Sequence, residues 1–316
     1  MSETIPHARN DKTYDRILVP LDGSDEAEAA LAVAEKMPSR ELILLHVQTD
    51  EDIFIPEWIT DPKADPAEIS VRAELERHAA RLRTVDRRVT IVADTGDVAE
   101  QIITAAMDAD LIIMTTHGRG AAGRLIFGSV ADRVVRHGMT PTLLLRAGEQ
   151  TAAPTQPTRV VVPLDGSAKA EQSLPAAVKL ARILDLPVLL LRAVGFDEIR
   201  VTLRKQRETG EKVTVDTPDR YEQARAKTRE EATGYLAAQE ETLRAAGLTV
   251  TSEVLDGSAA FTLLWAITAS DITVMTTHGR SGYKRWSIGS VAEKLVRQAP
   301  GPVLLQRAAP EAENAE

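Results

Sequence analysis

At 316 residues, 43% hydrophobic and 27% charged, the chain is too long for one ordinary core and suits two soluble domains of about 150 residues each. A formal net charge of −9 argues against a broad electrostatic grip on nucleic acid, while leaving room for one basic pocket for a small anion. The absence of cysteine excludes disulfides, thiolate metal sites and cysteine nucleophiles together, and no run reaches the roughly 18 apolar residues of a membrane span.

Residues 1–12 form a polar tail without the apolar stretch of an export signal, so a cytoplasmic protein is expected. From Arg16, RILVPL is a short β-branched strand closed by the turn residues Asp22, Gly23 and Ser24. Ala27, Ala30, Leu31 and Ala34 then fall at helical spacing. ELILLHV from Glu41 and VTIVAD from Val89 are two further strands, the first with the continuous apolar character of a sheet covered on both faces. After Gly96, Val98, Ile102 and Ala105 mark a helix. DLIIMTT from Asp110 is a fourth strand, SVADRVVR from Ser129 a helix, and TPTLLLRA from Thr140 a fifth strand.

AGEQTAAPTQPT, from Ala147 to Thr158, is small, polar and proline-containing, as a linker is. The pattern then repeats. RVVVPLDGSAKAEQSL from Arg159 matches RILVPLDGSDEAEAAL from Arg16, and MTTHGRSGYKRWSIGSVAEKLVR from Met275 matches MTTHGRGAAGRLIFGSVADRVVR from Met114. The second copy holds about 18 extra residues between its motifs, mostly between Gly195 and Tyr221. That charged stretch is poor in apolar periodicity and is expected to be a loop or lid. Five strands and four helices per copy predict an α/β protein of two doubly wound five-stranded parallel-sheet domains, Rossmann-like, with strand order 3-2-1-4-5. Their expected limits are 13–147 and 158–308, with a linker at 148–157 and an acidic tail at 309–316.

Gly118, Gly120 and Gly123 have the G-x-G-x-x-G spacing of a dinucleotide turn, but the second copy has Ser281 and Lys284 at the last two positions. The motif also follows the fourth strand rather than the first. What both copies keep is Gly118 with Gly128-Ser129 and Gly279 with Gly289-Ser290, with nine residues between the glycines in each case. A glycine corner after a strand admits close backbone approach, and the following helix start suits an anion, so the two elements can hold phosphates between them. Ser129 and Ser290 also open the sequences of capping boxes, with Asp132 and Glu293. Asp22 and Asp165 lie at the expected switch point, where each is a local turn cap, a ligand contact, or both. Arg119, Arg124, Arg280, Lys284 and Arg285 are either solvated loop residues or close over phosphates. His117 and His278 belong to no catalytic triad or metal spacing and are assigned to shaping the turn, while Trp265 and Trp286 are assigned to packing.

Taken together, VPLDGS, THGR and the terminal GSVA resemble the universal stress protein family, with two family domains in tandem over almost the whole chain. The family signature is G-x-x-G, nine residues, then G-S or G-T. The resemblance implies stress-linked signalling and ATP binding, with or without Mg2+, and no vigorous hydrolysis. Carried over by position, it implies a first pocket of Pro20, Asp22, Val47, Met114, Gly118, Gly128, Ser129 and Val130. The second pocket comprises Pro163, Asp165, Ala193, Met275, Gly279, Gly289, Ser290 and Val291. Arg119 and Arg280 follow the corner glycines. Thr115 and Thr276 stand where the signature has its first glycine, placing a β-branched side chain beside the nucleotide. No catalytic residue and no resident metal ligand is expected. The alternatives are a weak nucleotide-hydrolysing or nucleotidyl-transferring enzyme and a nucleotide-free interaction module. Exposed fifth strands invite an intramolecular pseudodimer of the two domains and a homodimer, with neither nucleic acid nor membrane as partner.

Overall fold

The computed structural model describes residues 13–49, 66–116, 127–146, 156–208, 218–277 and 288–308. The first half runs β1 (Tyr14–Pro20), α1 (Asp25–Lys36), β2 (Ser39–Gln48), α2 (Pro66–Leu82), β3 (Arg88–Thr95), α3 (Val98–Ala105), β4 (Leu111–Thr115), α4 (Ser129–His137) and β5 (Thr142–Leu145). The second half runs β6 (Arg159–Pro163), α5 (Ala168–Glu171), α6 (Leu174–Leu184), β7 (Val188–Val194), α7 (Phe196–Glu208), α8 (Pro218–Ala245), β8 (Val250–Asp256), α9 (Ala259–Ala266), β9 (Asp271–Thr276), α10 (Ser290–Gln298) and β10 (Val303–Gln306).

Within each half the strands are parallel and take the expected order, but the two halves form one sheet, β3-β2-β1-β4-β5-β10-β9-β6-β7-β8. The join is antiparallel, with Val303 opposite Leu144 and Leu305 opposite Thr142. It pairs backbone groups that each fifth strand would otherwise leave at an edge.

The apolar strand faces bury against helices on both sides. Leu31 of α1, Leu82 of α2, Leu180 of α6 and Leu236 of α8 cover one face. Ile102 of α3, Val134 of α4, Leu263 of α9 and Leu295 of α10 cover the other. Because the helices after β1 and β4 lie on opposite faces, a crevice opens at the carboxyl ends of these neighbouring strands, and the same holds for β6 and β9.

Two expectations need correction. The charged stretch from Gly195 to Tyr221 contains α7 and the start of the 28-residue α8, so its described part is helical rather than a loop. Within it Ile199 is buried and Leu203 and Tyr221 pack against the same core, too few apolar positions to show a period. Trp265 is 78% exposed and sits beside Phe261, with ring centres 6.2 Å apart, rather than packing in the core. Trp286 lies outside the described residues.

Candidate functional site

The turn after β1 is built locally and identically in both halves. Gly23 and Gly166 have φ of 75° and 79°, a left-handed conformation that favours glycine. This lets Asp22 Oδ1 accept from the Ser24 N–H at 3.0 Å and the Ser24 hydroxyl at 2.5 Å, while Ser24 Oγ accepts from the Ala27 N–H at 3.2 Å and caps α1. Asp165, Ser167 and Ala170 repeat the arrangement at 3.0, 2.6 and 3.2 Å. The local-cap role of both aspartates is therefore present, and Asp165 also borders a cleft.

That cleft lies at the carboxyl ends of β6 and β9 and holds a cavity of about 110 Å³ that opens to solvent. The structure brings together there Pro163, Asp165, Ala193, Met275, Thr276, Gly289, Ser290 and Val291. One wall is apolar, from Leu191, Ala193, Leu263 and Met275. Polar groups in the lining come from Asp165, Thr276, Thr277 and the start of α10. The buried Thr276 forms wall without closing the space.

The starts of α4 and α10 differ from the capping-box expectation. Gly128 and Gly289 occupy the N-cap position and Ser129 and Ser290 are the first helical residues, with no side-chain cap hydrogen bond. The reason is upstream. Gly128 N–H donates to Thr116 O at 2.8 Å and Gly289 N–H to Thr277 O at 2.6 Å, which fixes each glycine as the point of entry. Asp132 and Glu293 instead accept from Arg136 at 2.7 Å and Arg297 at 2.8 Å, one turn on. Each helix end thus presents first-turn backbone N–H groups that have no partner within the helix, and the second faces the cleft.

In the first half, Pro20 ends β1, Thr115 ends β4, and Gly128, Ser129 and Val130 enter α4. Val47, Met114 and Val130 share the face that carries α3 and α4. Gly118, Arg119, Gly279 and Arg280 lie outside the described residues, as do His117, His278, Arg124, Lys284 and Arg285. Sequence reasoning missed Glu198, Leu263 and Thr277 on the cleft wall. Glu198 comes from α7, in the stretch expected to be a loop, and approaches Arg192 at 3.4 Å.

The profile of the Universal stress protein family matches residues 13–146 and 157–307. A universal stress protein of Mycolicibacterium smegmatis is 25% identical over 313 residues, covering 92% of this chain and 96% of its own length. One from Thermus aquaticus is 34% identical over 140 residues, 42% of this chain and 99% of its own. Among solved structures, a universal stress protein from Archaeoglobus fulgidus shares the fold at a TM-score of 0.64 and 18% identity, covering 96% of this chain and 99% of that one. No helix among the described residues is long and apolar enough to cross a membrane.

Proposed function

The chain belongs to the universal stress protein family, and from that premise we propose that it is a cytoplasmic stress-response regulator that binds ATP in the second-half cleft and in the matching first-half crevice. The observation that carries this reading is the cleft at β6 and β9, where an apolar wall adjoins an uncapped helix start. Ala193, Leu191 and Met275 suit the flat apolar faces of a purine. Asp165 suits the ribose hydroxyls as an acceptor. The α10 N–H groups suit phosphate oxygens through their direction and the positive end of the helix. Mg2+ would enter with the phosphates as their counter-ion. Occupancy would bias an interaction surface because a ligand favours whichever conformation it binds better. The β5–β10 ladder makes the two halves an intramolecular pseudodimer in this reading, and a further homodimer would use another surface.

Calorimetric titration of the nucleotide-free chain with ATP, ADP and cyclic AMP tests the proposal. Two ATP per chain are expected, falling to one in Gly118→Val or Gly279→Val. Turnover well above background that Gly279→Val abolishes would make the chain an enzyme instead. Absence of binding by every nucleotide would leave an interaction module.

A further inference from the structure

We propose that the first half carries a site for a first-row divalent cation of the Zn2+ type, formed by Glu28 of α1 and by Glu74 and His78 of α2, in a cavity that His46 of β2 also lines. His46 precedes Val47 on β2, so the site lies on the sheet face opposite the nucleotide crevice.

His78 Nε2 lies 3.5 Å from Glu28 Oε1 and 4.0 Å from Glu74 Oε1, and the three groups have ligand atoms all within 4.8 Å of one another. Tetrahedral zinc with bonds of about 2.0–2.2 Å sets its ligand atoms about 3.4 Å apart. Small rotations of two carboxylates at the cavity mouth close that difference. A second imidazole adjoins these three. His46 is only 6% exposed and lines the same small cavity. Its Nδ1 lies 2.9 Å from Leu21 O. A carbonyl only accepts, so Nδ1 is the donor in this contact.

The second half shows how the same fold closes without a metal. Register places Arg192 where β2 has His46, since Pro20 stands opposite Leu45 and Pro163 opposite Leu191. Glu171 is the counterpart of Glu28, and Tyr235 and Gln239 are those of Glu74 and His78. Glu171 accepts from the Tyr235 hydroxyl at 2.8 Å and from Gln239 at 3.3 Å, and the Arg192 guanidinium lies 5.1 Å from the Tyr235 ring centre. One carboxylate thus meets two neutral donors and a resident cation. In the first half two carboxylates meet the His78 imidazole, and no lysine or arginine is among the described residues lining the cavity. A cation from solution completes that set, and an imidazole ligand favours zinc-like ions over Mg2+ or Ca2+.

The test uses the full-length, metal-stripped, nucleotide-free chain. Equilibrium dialysis against Zn2+ with elemental analysis counts ions, and Co2+ titration followed by visible absorption reports coordination. Wild type and His137→Ala are expected to hold one tight equivalent. Glu74→Tyr/His78→Gln installs the pair that the second half already packs, and is expected to lose that equivalent and the Co2+ bands while remaining folded by circular dichroism. Equal tight binding by the double variant, or none by wild type, overturns the proposal and leaves an imidazolium–carboxylate contact only. Glu28→Gln supplies a second check, with an expected drop in Zn2+ affinity of at least tenfold. An unchanged affinity would remove Glu28 from the site.

Discussion

Gly23 and Gly166 hold the two turns on which the sites are built, and the serines after them do the stabilising. Ser24 Oγ is the only side-chain cap on α1, so Ser24→Ala is expected to lower stability by about 0.5–2 kcal/mol, read as a shift in urea midpoint with unchanged slope. This much was legible in the sequence, because Asp-Gly-Ser before a helical period names both a left-handed glycine and a cap. The role of Tyr14 was not, since an aromatic residue opening a strand carries no sign of its depth. Burial, and secondarily the Asp110 carboxylate, push its hydroxyl well above the ordinary value of 10.0. The folded chain therefore keeps a proton that the unfolded chain releases. The associated stability is complete below pH 10.0 and lost as pH rises above it. Urea midpoints measured on either side of that pH should fall for wild type and fall less for Tyr14→Phe.

Equivalent elements in the two halves have diverged where their sequences differ at single positions. Asp97 caps α3 by accepting from Glu100 N–H at 2.9 Å and pairs with Arg133 of α4 at 2.6 Å, whereas α9 starts at Ser258 with no side-chain cap. The hydrogen bond from Arg133, aided by the Glu100 N–H, holds the Asp97 carboxyl below the usual carboxylate range. That contribution is present at neutral pH and lost as pH falls through the lowered value, so Asp97→Asn should flatten part of the acid limb of a stability-versus-pH curve. Gly301 occupies the place of Thr140 in the first half. A β-carbon there would lie 2.3 Å from Asp271 O and 3.0 Å from Thr268 O, so Gly301→Ala is expected to cost about 1–3 kcal/mol by denaturant titration. Strands and capped helices were legible because β-branched runs and turn residues bound them. The helices α7 and α8 were not, because Arg225 and Arg229, paired with Asp256, put charge on the outer face while alanine lines the inner one.

Duplication was plain from the sequence, and the fifth strands were expected to bring the halves together, but the direction and register of the join were not legible: two four-residue strands carry no spacing or turn signal for them. The join is supported away from the ladder. Lys179 of α6 sits 4.5 Å from the centre of the Tyr14 ring and 3.7 Å from Asp110, linking the second half to the first strand of the first. Cleavage at a protease site introduced between residues 150 and 155 should therefore leave the halves co-eluting on size exclusion; separation would contradict the continuous sheet. For the site, position along each strand was legible, since Pro163, Ala193 and Met275 fall at strand ends that meet at one crevice. The cleft wall drawn from α7 and α9 was not, because it depends on packing between distant segments.

The central claim, that the cleft between β6 and β9 receives a purine nucleotide, is tested most directly by ATP titration of wild type against Ala193→Phe, which places a ring in the apolar end of the cleft while leaving α10 intact. The account predicts that the variant, still folded, loses one of two ATP equivalents. Full retention of both, or no ATP uptake by wild type, would contradict it.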